Sequence, residues 1–378
     1  MTPPAAALSP QPKARRRYPE IDVIRGIAMV TIALNHYGLL VNEMGGHAYR
    51  GITPTLFGFS SAAELFVLIA GLSLGLAGTA IRERYGTGRL VRWAWRRAAI
   101  LWGANLALLL SIVGLAAMLE PGLRERLLAQ IGIGHEPRRM LQGVVATALM
   151  QRSPQFLDIL QMYTIFLALA PLLIVAVAAA PRGALLASLL VWSLVQSPAY
   201  AEAIRPSLPG VISGANFDLL AWQALVVLGI VLAAPRVLER FSVTRGVTAC
   251  LGIALIASAA WVVLAAKGAV PAAPMTGKPN LGPFRALHAL VYMAFLWGLV
   301  SATREALPWL WRPFADIGRQ ALPVFCISTW LAVALATMVV RIDRAGAFHV
   351  AYAVLPVLTW LAARAWSRAF ARRGPNDT

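Results

Sequence analysis

His36 and Glu64 are the two side chains in this sequence best matched for proton-transfer chemistry. His36 stands between Asn35 and Tyr37 near the end of one apolar run. Glu64 opens the next, after Phe57-Gly58-Phe59-Ser60-Ser61-Ala62-Ala63. If both runs are helices joined by a short outer connection, His36 lies ~8 Å below the outer end of the first at 1.5 Å per residue. Glu64 then sits about one turn below the same surface, where imidazole and carboxylate can meet. A carboxylate that orients a histidine and stabilises its imidazolium is the supporting half of a general base. The plainer alternatives are a neutral packing histidine and a polar pair that closes a helix hairpin.

Further polar residues sit where lipid is expected, and such groups are costly enough to mark function by default. Asp22 and Arg25 are three apart, share a helix face and can pair near the inner surface. Later apolar runs open in the same manner, with Asp158 and Tyr163, with Asn216, Asp218, Trp222 and Gln223, and with Arg285 and His288. Any one of these could be an N-cap or an interfacial anchor, and for Asp158 and Asp218 alone the cap is the simpler reading. Taken together, with Gln223 and His288 lying deeper, they predict a polar pocket on the outer side.

The elements that must hold these groups are membrane helices. Of 378 residues, 59% are hydrophobic and 13% charged, which is outside the soluble range. The fold class is therefore all-α, a polytopic membrane protein with one bundle of ten transmembrane helices. Runs long enough for a ~30 Å hydrocarbon core place them at 21–41, 60–80, 93–118, 157–178, 183–197, 217–234, 247–266, 285–303, 321–340 and 347–366. The fifth is short, follows Pro181, and suits a re-entrant segment as well as a span. Basic residues crowd alternate connections, above all Arg82, Arg84, Arg89, Arg92, Arg96 and Arg97 in the stretch 81–98. With the N-terminus inside and all ten crossing, these fall on the cytoplasmic side, as do both termini.

Residues 1–17 are expected to form a disordered basic tail, 18–370 the membrane domain and 371–378 a C-terminal tail. No cleavable signal is expected. In the long outer connection 119–156, Leu141, Val144, Val145, Ala148 and Leu149 recur at helical spacing, which suits a helix lying in the interface. Gly71, Ser73 and Gly75 suit close helix packing, and Trp93, Trp95, Trp309 and Trp311 suit an interfacial belt. The connection 304–319 reads as an inner loop. The net charge of +18 follows from topology and does not imply nucleic acid. Cys250 and Cys326 lie in apolar runs without a ligand pattern, so neither disulfide nor metal site is expected.

Several segments carry a family resemblance. Arg25, ten intervening residues and His36 resemble the Arg-x10-His signature of the membrane acyltransferase-3 superfamily. More closely, the chain resembles the OpgC family through Asp22-Val23-Ile24-Arg25-Gly26, Gly58-Phe59-Ser60-Ser61-Ala62-Ala63-Glu64 and Leu157-Asp158-Ile159-Leu160-Gln161-Met162-Tyr163. The resemblance continues, in order, through Asn216-Phe217-Asp218-Leu219-Leu220-Ala221-Trp222-Gln223, Arg285-Ala286-Leu287-His288 and Gly318-Arg319-Gln320-Ala321-Leu322-Pro323-Val324-Phe325. Ala70-Gly71-Leu72 departs from a Ser-Gly-Tyr-type stretch usual in the superfamily.

The resemblance implies an O-acyltransferase in the bacterial inner membrane that moves a succinyl group from succinyl-CoA to hydroxyls of periplasmic glucans. For such a reaction the depths and helix starts above make His36 and Glu64 the expected catalytic pair, put Arg25 and Asp22 at the donor, and leave Asp158, Tyr163, Asn216, Asp218, Trp222, Gln223, Arg285 and His288 for an acceptor or acyl pocket. Acyl-CoA is then a co-substrate, with no permanently bound cofactor. The expected partners are the bilayer, acyl-CoA and a glucan, and a homo-oligomer is left open. Acetyl transfer to another surface polysaccharide and proton-coupled transport are the rival readings.

Overall fold

The computed structural model describes residues 18–214 and 216–371; the two expected tails, 1–17 and most of 371–378, lie outside them. The described chain is mostly helical, with irregular connections and no strand among the described residues. Seven helices are long and apolar enough to cross a membrane, or eight if one bent pair counts as a span. The molecule is thus a polytopic helical membrane protein.

The first helix, α1 (Pro19–Gly45), begins with proline at its first turn, where the missing N–H is no loss. It ends at Gly46, whose left-handed φ of 67° lets its N–H reach the Asn42 carbonyl. Most of its apolar window is buried, which makes it the central strut of the bundle. The second element, α2 (Ala62–Ala117), is two antiparallel arms, 62–85 and 87–117, that fold back on each other at Gly86 (φ 80°). Leu90 accordingly lies beside Gly78, and Ala77 beside Leu101. The expected loop at 81–98 is therefore helical up to the Gly86 reversal, with its arginines around the tip; arginine is a good helix former.

The connection to the next long helix holds α3 (Pro121–Gln130), which has no counterpart among the sequence expectations, and α4 (Pro137–Ala148). Leu141, Val145 and Leu149 point outward while Gly143 and Thr147 face the protein. Then follow α5 (Asp158–Ala179), α6 (Pro181–Val195) and α7 (Leu219–Leu232). The doubtful fifth helix is α6, which forms a pair bent by 76° with residues Tyr200–Ser207.

After the short α8 (Pro235–Leu238) come α9 (Arg245–Ala266) and α10 (Pro283–Thr303). The apolar window of α9 has no buried share, so it stands at the edge of the bundle. The chain ends with α11 (Pro308–Arg319), α12 (Ala321–Ile342) and α13 (Ala345–Ala371). The expected inner loop at 304–319 is thus largely α11, an amphipathic helix laid against α1. Trp309 is exposed there, but Trp311 is buried and donates its indole N–H to Thr303 Oγ1 at 3.1 Å.

Two glycines set the α1–α11 approach. A Cβ at Gly26 would lie 1.9 Å from the Phe314 carbonyl oxygen, and one at Gly318 would lie 1.8 Å from the Asp22 carbonyl oxygen. Neither site admits a side chain without moving a backbone. Similar contact joins α2 to α7, where a Cβ on Gly71 would lie 2.5 Å from the Val226 carbonyl oxygen. Packing by small residues of this kind substitutes for the hydrophobic drive that lipid does not supply.

Candidate active site

Two cavities follow one another along α1, α2 and α5, and α13 also contributes a residue to each. The first, of about 460 Å³, takes in His36, Ser61, Asp158, Asn216, Lys278 and Arg285. The second, of about 520 Å³, takes in Arg25, Ser73, Arg97, Tyr163 and Arg319. Along α1, His36 and Arg25 are eleven residues apart, or ~16 Å at 1.5 Å per residue.

At the first cavity the N-terminal ends of α2, α5 and α10 come together. The positive ends of three helix dipoles make such a place hospitable to negative charge. The sequence contributes Lys278, Arg285 and His36 to the same cavity, against a single carboxylate, Asp158, in its lining. Asp158 accepts a 2.8 Å bond from Asn216 Nδ2, which joins two residues predicted from separate helix starts.

His36 is half-buried at the cavity wall, and its enclosed Nδ1 has no hydrogen-bond partner among the described residues. Its ring meets that of Phe156 edge-on, 4.8 Å between centroids. Phe156 itself has φ 72°. A bulky residue in the left-handed region is strained, and such strain gathers at functional sites. Here it turns the ring two residues ahead of α5 onto the imidazole.

The expected pairing of Glu64 with His36 is absent among the described residues. Glu64 is fully buried and accepts from Arg285 Nη1 at 2.9 Å. It also accepts from the Ser61 backbone N–H and hydroxyl, each at 2.7 Å. Ser61 caps α2, and a glutamate three residues on closes a capping box that draws the carboxylate back over its own helix start. Glu64 therefore holds Arg285 in place and leaves the imidazole unsupported. Arg285 is further fixed by donation of its Nε to the Thr276 carbonyl at 2.8 Å.

The remaining expected pocket residues disperse. Asp218 caps α7 through the Leu220 N–H and accepts the Tyr200 hydroxyl at 2.5 Å. Trp222 is buried, with its indole N–H on the Lys278 and Pro279 carbonyls. Gln223 is bound to Ser188 of α6 by side chain and backbone alike. None of the three lines either cavity. His288 faces a different, apolar cleft between α1, α9 and α10, held between Ser60 Oγ at 2.7 Å and Ser258 Oγ at 3.0 Å. Tyr163 belongs to the second cavity, beside Arg25.

In that second cavity Arg25 donates to the Gly318 carbonyl at 3.1 Å and to the Ser73 hydroxyl. Asp22 lies 3.8 Å from Arg25 and 3.7 Å from Arg319, an acid shared by two cations. Ser73 thus has a polar duty beyond the close packing expected of it. Lys278 is a site residue that the sequence reading missed. It sits in an irregular segment, so no periodicity points to it. Its ammonium lies 4.8 Å from the Phe217 ring centroid, and its charge acts on both His36 and Asp158.

The family model described as "OpgC protein" matches residues 17–373, almost the whole chain. No curated protein and no solved structure matches.

Proposed function

Because the chain belongs to the OpgC family, a membership that suggests a glucan-modifying acyltransferase, we propose that it transfers an acyl group through the bundle from acyl-CoA to a glucan hydroxyl. The observation that carries this reading is the pair of successive cavities, one cationic around Arg25 and one around an unpartnered His36.

Ten crossings follow if the two arms of α2, the bent α6 pair and α7 are each counted as spans, with both termini cytoplasmic. The Arg25 cavity then faces the cytoplasm and the His36 cavity the periplasm, in the bacterial inner membrane. In this reading Arg25-x10-His36 is the acyltransferase-3 signature. The CoA phosphates stay with the arginines, since so charged a group cannot enter lipid. The acyl arm runs between α1, α2 and α5 towards His36.

The acceptor hydroxyl enters beside Asp158 and Asn216. His36 takes its proton as the oxygen attacks the thioester carbonyl. The C–O bond forms, the C–S bond breaks, and the proton on His36 passes to the departing CoA sulfur. Lys278, in the lining of the same cavity, would offset the negative charge that develops on the carbonyl oxygen. With succinyl-CoA, the free carboxylate falls to Arg285, a geometry suited to a guanidinium.

Transport is the rival in another class, and the bent α6 pair is a feature that a transporter would share. No residue of 181–207 lines either cavity, however, so the bend supplies no group to the His36 or Arg25 site. The test is the purified protein in proteoliposomes, with succinyl-CoA outside or inside and a linear glucan as acceptor. Mass spectrometry should find the glucan heavier by one acyl group. Unmodified glucan with every acyl-CoA tried would end the reading.

A further inference from the structure

The cavity around His36 does not close at the Asp158–Asn216 hydrogen bond. Beyond that pair lies a third cavity of about 250 Å³, roughly half the size of the first, and Gln155, Asp158, Asn216 and Phe217 line both. Its far wall comes from Gln130 at the end of α3, Gly132 just beyond it, and Arg152 and Ser153 ahead of α5.

Those elements are held firmly. Ile131 and Ile133 are buried on either side of Gly132, whose left-handed φ of 74° turns the chain there. Arg126 of α3 donates to the Met44 carbonyl at 2.7 Å, which ties this wall to the end of α1. Ser153 donates to Gln161 Oε1 at 2.6 Å, which fixes the approach to α5.

The chemistry of the lining is specific. Its polar side chains are three carboxamides, a hydroxyl, a carboxylate and a guanidinium, and each carboxamide both donates and accepts. Among the described residues, the side chains of Gln130, Gln155 and Arg152 engage no other protein group. They are therefore open to a ligand that can replace water bond for bond. A ring bearing several hydroxyls has that property, and Phe217 adds an apolar face at the junction of the two cavities.

We propose that the third cavity is a second sugar subsite, so that the acceptor is held through two adjacent glycosyl units. One unit presents its hydroxyl to His36, and its neighbour rests among Gln130, Arg152 and Asn216. Asp158 and Asn216 form the saddle between them. This rests on the acyltransferase reading and adds to it a minimum acceptor length.

The experiment compares glucose, a glucose disaccharide and a linear glucan of several units as acceptors for the full-length protein with succinyl-CoA. The subsite predicts a kcat/KM about tenfold or more higher for the disaccharide than for glucose, the value of one or two good hydrogen bonds. In Gln130→Ala the ratio of the two should fall about fivefold, through KM of the disaccharide. Arg152→Gln, in an exposed position, gives the same readout should the first variant fold poorly. Equal kcat/KM for glucose and disaccharide, or a variant that lowers both alike, overturns the subsite while transfer itself stands. No transfer to any acceptor would instead remove the acyltransferase reading, and the subsite with it.

Discussion

Glu64 and Arg285 are 221 positions apart in the chain, yet their side chains meet at 2.9 Å with the carboxylate fully enclosed. The contact bolts the start of α10 to the capped start of α2 at the edge of the His36 cavity. Removing one member of such a pair leaves a buried charge without compensation, at a cost of roughly 3–5 kcal/mol. Arg285→Ala should therefore lower the melting temperature in detergent markedly. The Arg285→Ala/Glu64→Gln double variant should recover much of that loss, because the orphaned charge is gone. If the single and double variants melt alike, the pair is not holding these helices.

His36→Ala should insert and melt like the parent, since the ring gives up an edge contact with Phe156 and no hydrogen bond at Nδ1. Transfer should fall by ~10²–10⁴, the usual contribution of a general base. Parent-like turnover by a well-folded H36A protein would remove His36 from the mechanism.

At the other cavity, Ser73→Ala deletes the hydroxyl that meets the Arg25 guanidinium. If Arg25 holds the donor, KM for acyl-CoA should rise several-fold while KM for the glucan stays put, a loss of about 1 kcal/mol for one hydrogen bond. The opposite pattern, with the glucan KM affected and that of acyl-CoA unchanged, would count against a donor cavity at Arg25.

Gly318→Ala places a methyl against the Asp22 carbonyl, where backbone must move. α11 should shift from α1 and carry with it the carbonyl that Arg25 uses. Both thermal stability and acyl-CoA affinity should drop in this one variant, whereas Gly122→Ala, beside open space, should change neither. Intact stability in G318A would show that the helices tolerate more separation than their contact implies.

The long helices were legible because apolar runs of membrane length admit little else, and each expected span has a helix at its position. Basic composition made 81–98 look like a loop, although arginine prolongs a helix and only Gly86 interrupts it. Amphipathic α11 was hidden because its indoles and arginines resemble interfacial loop residues. At the site, Asp158 and Asn216 were picked from two different helix starts and do meet. Glu64 was misassigned to His36 because depth along a helix says nothing of direction. The Ser61-x-x-Glu64 spacing carried the information, since a capping box turns the carboxylate back along its own helix. Lys278 could not be found at all, since an irregular segment shows no period until the fold brings it in, and Gln130 ends a helix, α3, that the sequence did not announce.

The tip of the α2 hairpin bears on how the chain enters the bilayer. Arg84, Arg89, Arg92, Arg96 and Arg97 are exposed close to the Gly86 reversal, and each would be expensive to drag through hydrocarbon. If the arms are two spans with a cytoplasmic tip, as proposed above, they go in side by side and the tip stays behind as an anchor on the side of synthesis. During biogenesis the hairpin would then be a single insertion unit, and neutralising its tip should yield molecules threaded in both directions.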